Sequence, residues 1–150
     1  MYRILLADDE GIVTNSLSFI IEKNFEGQYE IETAKSGRAA IEAAEHFRPD
    51  IVFMDIQMPG INGIESMKEI RKTNSNVIFI VMSAYDKFDY AKEAIKLGVM
   101  EYITKPMEKN KLLEALKKAM VMVDGEREKR SNDLMIRENW KQLFRFWKVD

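Results

Sequence analysis

Five short runs of apolar residues alternate along the chain with stretches in which apolar residues recur at helical spacing. The runs predict β-strands at about 3–7, 29–34, 51–55, 77–82 and 100–103. The helical spacing predicts helices near 12–24, 37–47, 63–72, 86–97 and 108–123. Ser36-Gly37 and Asn62-Gly63 open two of these helices. This alternation predicts an α/β fold: a doubly wound, five-stranded parallel sheet with helices on both faces.

The fifth predicted helix changes character after Val123. Up to that point it carries an apolar stripe, formed by Leu112, Leu113, Leu116, Met120 and Val123. Residues 124–133 are polar on all sides, as in a solvated helix or a linker. We therefore predict one domain over residues 1–123 and a helical linker or extension over residues 124–150.

The extension ends in an amphipathic segment, in which four bulky apolar residues share one helical face: Trp140, Leu143, Phe144 and Trp147. Three interpretations stay open: the segment folds back onto the domain, pairs with a second copy in a homodimer, or begins a larger output region. If the seven-residue repeat of the apolar stripe continued past Val123, Arg127 and Arg130 would lie at its apolar positions. Charged residues at those positions do not favour a strong coiled coil. Seven Lys/Arg against six Asp/Glu leave the extension near neutral, and it is too short to supply a DNA-binding domain of two helix-turn-helix units.

The composition excludes several classes of protein. At 150 residues, with 46% hydrophobic and 32% charged residues, the chain fits one ordinary globular domain with a short appendage. A net charge of −2 argues against nonspecific nucleic-acid binding, and the lack of cysteine excludes disulfides and thiolate metal sites. The first strand begins almost at Met1 and no apolar run is long enough for a membrane span, so we expect a cytoplasmic protein without a membrane partner.

Charged residues follow three of the predicted strands. Asp8 and Asp9 come directly after the first strand, Asp55 ends the third, and Lys105-Pro106 follows the fifth. The carboxyl ends of parallel strands meet at one edge of the sheet, where ligands bind in folds of this class. Clustered acids without a cation oppose their own ionisation. The sequence therefore predicts a crevice that binds a divalent metal ion and a phosphoryl group.

This crevice has the residues for phosphoryl transfer to a carboxylate. Asp55 can act as the nucleophile and become an aspartyl phosphate. Mg²⁺ (or Mn²⁺) takes oxygen ligands, for which we predict Asp9 and Asp55 directly and Asp8 through a water. The backbone carbonyl of Gln57 is predicted as a further ligand.

Two further side chains are predicted to contact the phosphoryl oxygens. Lys105 offers a point charge on a flexible stem. Ser83 ends the fourth strand, so its hydroxyl should reach another oxygen, while Ala84 keeps the entrance clear.

Four segments at predicted strand ends carry a resemblance to a known family: Leu5-Leu6-Ala7-Asp8-Asp9-Glu10, residues 54–63 (MDIQMPGING), Met82-Ser83-Ala84-Tyr85 and Tyr102-Ile103-Thr104-Lys105-Pro106. They resemble the motifs of response-regulator receiver domains of two-component signalling, the CheY-like family. The resemblance covers about residues 1–123 and implies a flavodoxin-like sheet of strand order 2-1-3-4-5.

The resemblance also implies roles for single residues. Asp55 would accept phosphate from a sensor histidine kinase, Asp8 and Asp9 would hold Mg²⁺, and Lys105 would sense the phosphate. The Lys105–Pro106 peptide bond would be cis.

In the switch that the family uses, Ser83 would move towards the phosphate and Tyr102 would turn inward behind it. The surface formed by helix 86–97, strand 100–103 and the last helix would change as a result. Residues 83–95 look like the subgroup joined to AraC-type helix-turn-helix output domains, so DNA would be contacted only through an output domain that is not in this sequence.

The sequence favours a signalling phosphoacceptor that is not an enzyme, and two alternative functions compete with it. Haloacid-dehalogenase-like phosphohydrolases also form an aspartyl phosphate, but they need a second aspartate two positions after the nucleophile, where this chain has Gln57. The other alternative is an interaction domain that works without phosphorylation.

Overall fold

Strands and helices alternate from one end of the chain to the other in the computed structural model, which describes residues 1–84 and 88–148. The strands are β1 (Tyr2–Ala7), β2 (Tyr29–Ala34), β3 (Ile51–Asp55), β4 (Ile78–Ser83) and β5 (Glu101–Thr104). The helices are α1 (Gly11–Asn24), α2 (Gly37–Phe47), α3 (Gly63–Thr73), α4 (Phe88–Lys96) and α5 (Lys109–Lys148).

The five strands form one parallel sheet in the order β2-β1-β3-β4-β5. The predicted fold class and strand order are thereby confirmed. The chain reverses its direction of travel across the sheet between β1 and β3, which opens a crevice beyond the carboxyl ends of these two strands. The register places Ala7 beside Met54 and Asp55 beside Met82, so the ends of β1, β3 and β4 lie at one level.

Apolar layers cover both faces of the sheet because successive strand residues point to opposite sides. On β1, Leu5 and Ala7 pack in the layer under α2, α3 and α4, whereas Ile4 and Leu6 pack in the layer under α1 and α5. Val52 and Met54 on β3 likewise face the first layer and Ile51 and Phe53 the second. Burial on both faces explains why most of β1 and all of β3 and β4 read as nearly continuous apolar runs.

Two helices begin at the capping residues that the sequence indicated. The Ser36 hydroxyl accepts the backbone N–H of Ala39 at 3.1 Å, and the Asn62 side chain accepts that of Glu65 at 2.9 Å. These caps set the starts of α2 and α3, which lie against each other on the same side of the sheet.

The last helix is longer than the sequence pattern predicted. The helix expected over 108–123 does not end there: α5 continues through residues 124–133 to Lys148 as a single helix of 40 residues. Trp140 and Leu143 are exposed, so they do not fold back onto the domain. Two other predictions lie outside the described residues. One concerns the side chains of Phe144 and Trp147, and the other concerns Tyr85 and the predicted start of α4.

Among the helices in the described part of the chain, none has an apolar stretch long enough to cross a bilayer.

Gly37 gives a test of the packing between α2 and the segment before α3. A Cβ at this position would overlap the carbonyl oxygen of Ile61 and the hydroxyl of Ser66. We expect Gly37→Ala to lower the free energy of unfolding by about 1–3 kcal/mol, because the backbone of residue 61 cannot move aside. Urea unfolding followed by circular dichroism measures the change.

The matched control for Gly37→Ala is Gly125→Ala in α5, where no atom of the described residues lies within 4 Å of an added Cβ. Alanine favours the helix, so this variant should be neutral or more stable by up to about 1 kcal/mol. Equal stability of the two variants would contradict a tight contact between Gly37 and the backbone of Ile61.

Candidate functional site

Side chains from three strand ends meet at the carboxyl edge of the sheet. Asp8 follows β1, Asp55 is the last residue of β3, and Lys105 follows β5. The Lys105 ammonium lies 2.6 Å from Asp8 Oδ2 and 3.4 Å from Asp55 Oδ2. The structure therefore brings together residues that are 47 to 97 positions apart in the chain, as the positions of the strand ends indicated.

The three carboxylates form a group that is open on one side. Asp8, Asp9 and Asp55 each offer an oxygen, and these oxygens lie within 4.8 Å of one another. Asp8 and Asp55 are buried, whereas Asp9 is exposed. A ligand can therefore approach the two buried carboxylates past Asp9.

Backbone groups and Lys105 hold the buried carboxylates in place. The N–H of Glu10 donates to Asp8 Oδ1 at 2.9 Å, while Lys105 donates to the other oxygen. The backbone N–H of Gln57 donates to the Asp55 carboxylate. The side-chain positions are thus set by the short loops that follow β1 and β3.

The surroundings of Asp55 disfavour the ionised form of its carboxylate. Burial and the neighbouring Asp8 raise the pKa of Asp55 from 3.8 to about 6, although Lys105 and the Gln57 N–H act in the opposite direction. Burial opposes the charge of Lys105, but its hydrogen bond to Asp8 and the attraction of Asp55 outweigh burial and raise the Lys105 pKa. The single positive charge of Lys105 therefore does not neutralise the negative charge of the carboxylates around it.

The donor set fits a hard divalent cation. It consists of carboxylate oxygens, without the imidazole or thiolate ligands that softer metals select. A divalent ion among them would remove the repulsion that disfavours the ionised form of Asp55. The direct ligation by Asp9 and Asp55, the water-mediated role of Asp8 and the carbonyl of Gln57 stay predictions.

The two residues predicted to switch lie on the neighbouring strands. Ser83 is the buried last residue of β4, and its carbonyl accepts the N–H of Lys105 at 2.8 Å. Tyr102 on β5 is half-buried against the apolar layer under α4 and lines a groove of about 290 Å³ between β5 and α5. The Lys105–Pro106 peptide bond is cis. The roles of Ser83 and Tyr102 stay predictions.

An apolar patch on α1 next to the acids was not singled out from the sequence. Ile12 is 75% exposed and Phe19 is 57% exposed, and they lie on one side of α1 with Ile20. The signal was present in the spacing of seven residues between Ile12 and Phe19, two turns of helix. The helical spacing of the buried residues Leu17 and Ile21 drew attention to the opposite face of α1.

Comparison with known sequences points to one family. The family model for the response regulator receiver domain matches residues 4–117. The chemotaxis protein CheY of Thermotoga maritima is 41% identical over 117 residues, which is 77% of this chain and 95% of that protein. The transcriptional regulatory protein YesN of Bacillus subtilis is 41% identical over 116 residues, which is 77% of this chain but 32% of YesN. The chain thus spans about a third of that longer relative.

Solved structures with the same fold include the receiver (REC) domain of AraT, a response regulator from Geobacillus stearothermophilus. It matches with a TM-score of 0.77 and 35% sequence identity, over 84% of this chain and 98% of that chain. A CheY-like receiver domain protein from Methanospirillum hungatei matches with a TM-score of 0.78 and 27% identity, over 84% of this chain and 98% of that one.

The raised pKa of Asp55 predicts how the metal-free protein responds to pH. The folded state binds the Asp55 proton more tightly than the unfolded chain does. The contribution of Asp55 to the free energy of unfolding therefore falls as the pH rises from 3.8 to about 6. Above that window, Asp55→Asn should be more stable than the parent protein by about 1–3 kcal/mol. Urea unfolding in EDTA, on both sides of the window, measures the difference.

The control for Asp55→Asn is Asp9→Asn, which changes an exposed carboxylate and should have a smaller effect. If Asp55→Asn and the parent protein unfold alike across the window, burial does not penalise this carboxylate as described.

Proposed function

Because the chain belongs to the family of response regulator receiver domains of two-component systems, we propose that it accepts a phosphoryl group on Asp55 from a sensor histidine kinase. One observation carries the proposal: Asp55 shares a single crevice with Lys105, at 3.4 Å, and with the carboxylates of Asp8 and Asp9. A nucleophile, a cation for the phosphoryl oxygens and a metal-binding group are the parts that this transfer needs.

The chemistry follows from these positions. A carboxylate oxygen of Asp55 attacks phosphorus, and its new bond to phosphorus replaces the bond to the kinase histidine nitrogen, which leaves with its electron pair. Lys105 can shift its ammonium from the Asp55 carboxylate to an oxygen of the incoming group, because both lie within the reach of its flexible side chain. Mg²⁺, held by Asp8, Asp9 and Asp55, would neutralise charge on the carboxylates and on the phosphoryl oxygens.

The same arrangement explains how buried carboxylates are held ready to bind a metal ion before phosphorylation. Lys105 keeps Asp8 paired, so that a buried charge is not left alone in the resting protein. The pKa of about 6 at Asp55 means that an ion bound there must compete with a proton when the pH is low.

Phosphorylation is expected to act on the surface formed by α4, β5 and α5. In this proposal the Ser83 hydroxyl binds a phosphoryl oxygen, and Tyr102 moves inward behind it. The hydrogen bond from the Lys105 N–H to the Ser83 carbonyl joins the ends of β4 and β5, so a shift of one strand end affects the other. The groove beside Tyr102 would then change shape, which alters affinity for a partner or a second copy.

We assign the chain a regulatory role and not a catalytic one on a separate substrate. Gln57 stands where an aspartyl-phosphate phosphohydrolase needs its general acid, and an amide cannot transfer that proton. The relative YesN is named a transcriptional regulatory protein. We therefore propose cytoplasmic control of transcription, in which DNA is bound by an output region outside these 150 residues.

The exposed patch on α1 is the surface on which we expect the kinase to dock. A phosphohistidine can reach Asp55 only if its own protein rests beside the crevice, and α1 begins at Gly11, directly after the acidic loop. Ile12 and Phe19 offer apolar area there, of the kind that supplies most of the energy of a protein interface.

Phosphorylation by a small donor tests the proposal. With acetyl phosphate and Mg²⁺, the protein should gain one phosphoryl group, measured by intact-protein mass spectrometry. EDTA and Asp55→Asn should each abolish the gain, because one removes the metal and the other the nucleophile. Asp133→Asn, an exposed aspartate on α5, is the matched control and should react like the parent protein. A folded protein that gains nothing, or an adduct that persists in Asp55→Asn, refutes the proposal.

Phosphotransfer from a kinase tests the docking surface separately. Ile12→Glu should slow transfer from a phosphorylated sensor kinase by about 10-fold and leave phosphorylation by acetyl phosphate unchanged, since only the large donor needs the patch. Ile95→Glu is the control, because Ile95 is equally exposed, at 74%, but lies on α4. Docking on α1 is wrong if the two variants accept phosphate from the kinase at the same rate.

A further inference from the structure

A cluster of polar contacts joins α5 to the edge of the sheet that lies opposite the acidic crevice. We call Tyr2, Asp50, Asp124 and Arg127 the α5 clamp. The Tyr2 hydroxyl donates to Asp124, 2.8 Å from Oδ1 and 2.9 Å from Oδ2. Arg127 Nη2 donates to Asp50 Oδ2 at 3.0 Å and to the Met1 carbonyl at 2.9 Å. Its guanidinium also lies over the Tyr2 ring, 5.3 Å from the centroid.

The sheet side of the clamp is itself held firmly. The N–H of Asp50 donates to the Arg3 carbonyl at 2.8 Å, and the N–H of Arg3 donates back to Asp50 Oδ2 at 2.9 Å. The Asp50 carbonyl accepts the N–H of Ile78 at 3.0 Å. Asp50 is thus bonded to β1 and β4, and it gives Arg127 an anchor that does not move independently of the sheet.

The clamp begins where the apolar packing of α5 ends. Val123 is the last buried residue of the part of the helix whose side chains are described, and residues 128–143 are exposed throughout. Asp124 and Arg127 are three residues apart and therefore share one face of the helix. They attach that face to two points, Tyr2 on β1 and Asp50 directly before β3. Attachment at two points opposes both rotation and bending of the helix at this level.

We propose that the α5 clamp extends the rigid body of the domain past its apolar core and sets the direction in which residues 128–148 project. The clamp residues are positioning residues: whatever the projecting helix binds is presented at a defined angle to the receiver domain. If the packed part of α5 shifts, residues 128–148 would then move with it as one rigid helix. The inference concerns geometry alone, so it stands or falls independently of phosphorylation at Asp55.

The pKa of Tyr2 is consistent with the hydrogen bond between its hydroxyl and Asp124. Its hydrogen bond to Asp124, together with partial burial, raises the pKa of the Tyr2 hydroxyl. A phenol that donates to a carboxylate keeps its proton more strongly than one in water.

The absence of cysteine from the sequence allows a direct test by spin labelling. Labels are placed at Glu42→Cys on α2 and Asn139→Cys on the projecting helix, both exposed. Their separation is measured by pulsed electron paramagnetic resonance in labelled protein diluted with unlabelled protein, which suppresses distances between copies. We expect one narrow distance distribution in the parent, broadened by roughly twofold in Arg127→Met, since the helix then pivots at its last packed turn.

Two further variants make the result specific. Tyr2→Phe removes a single hydroxyl and should broaden the distribution in the same direction, to a smaller extent. Glu128→Gln, one residue past the clamp on the exposed surface, should leave the width unchanged. Equal widths in the parent, Arg127→Met and Tyr2→Phe would overturn the proposal, as would a broad distribution in the parent itself.

Hydrogen exchange gives an independent measure if Arg127→Met proves poorly folded. In Tyr2→Phe, the amides of residues 124–130 should exchange roughly 10-fold faster, whereas those of β1 and β3 should not change. Unchanged exchange at residues 124–130 would show that the hydroxyl contact does not hold the helix, and the proposal would fail.

Discussion

The ammonium of Lys105 between the carboxylates of Asp8 and Asp55 is the interaction on which the site depends. Two buried acids at one strand edge would repel each other without it, and burial would add to the cost. Burial and the charge of Asp8 together outweigh Lys105 and raise the pKa of Asp55 to about 6. The crevice is therefore stable enough to form and still short of positive charge, a combination that favours the binding of a divalent cation.

This charge arrangement requires the parallel sheet. Asp8, Asp55 and Lys105 lie at the ends of three different strands, and the parallel register of the sheet brings these ends to one edge. The same strands serve a second purpose at their other ends, where Tyr2 on β1 and Asp50 before β3 contact α5. The sheet thus connects the candidate phosphoacceptor with the base of the projecting helix through a short path of rigid backbone.

Most of the fold could be predicted from the sequence because apolar periodicity is a local signal. Strands buried on both faces read as apolar runs, and the caps at Ser36 and Asn62 gave the starts of two helices. The extent of α5 was harder to predict. Residues 124–133 look solvated because their composition is polar, yet Asp124 and Arg127 find partners 122 and 77 positions away in the chain. No local pattern contains that information.

The sequence by itself determined which residues end the strands, and hence that Asp8, Asp9, Asp55 and Lys105 would share an edge of the sheet. That much follows from counting along the chain, since strand direction and side-chain alternation are properties of neighbouring residues. Only the tertiary structure decided which carboxylate Lys105 pairs with most closely, which acids are buried and that the pKa of Asp55 is raised. These quantities depend on distances between residues far apart in sequence, and packing of the whole sheet and its helices sets those distances.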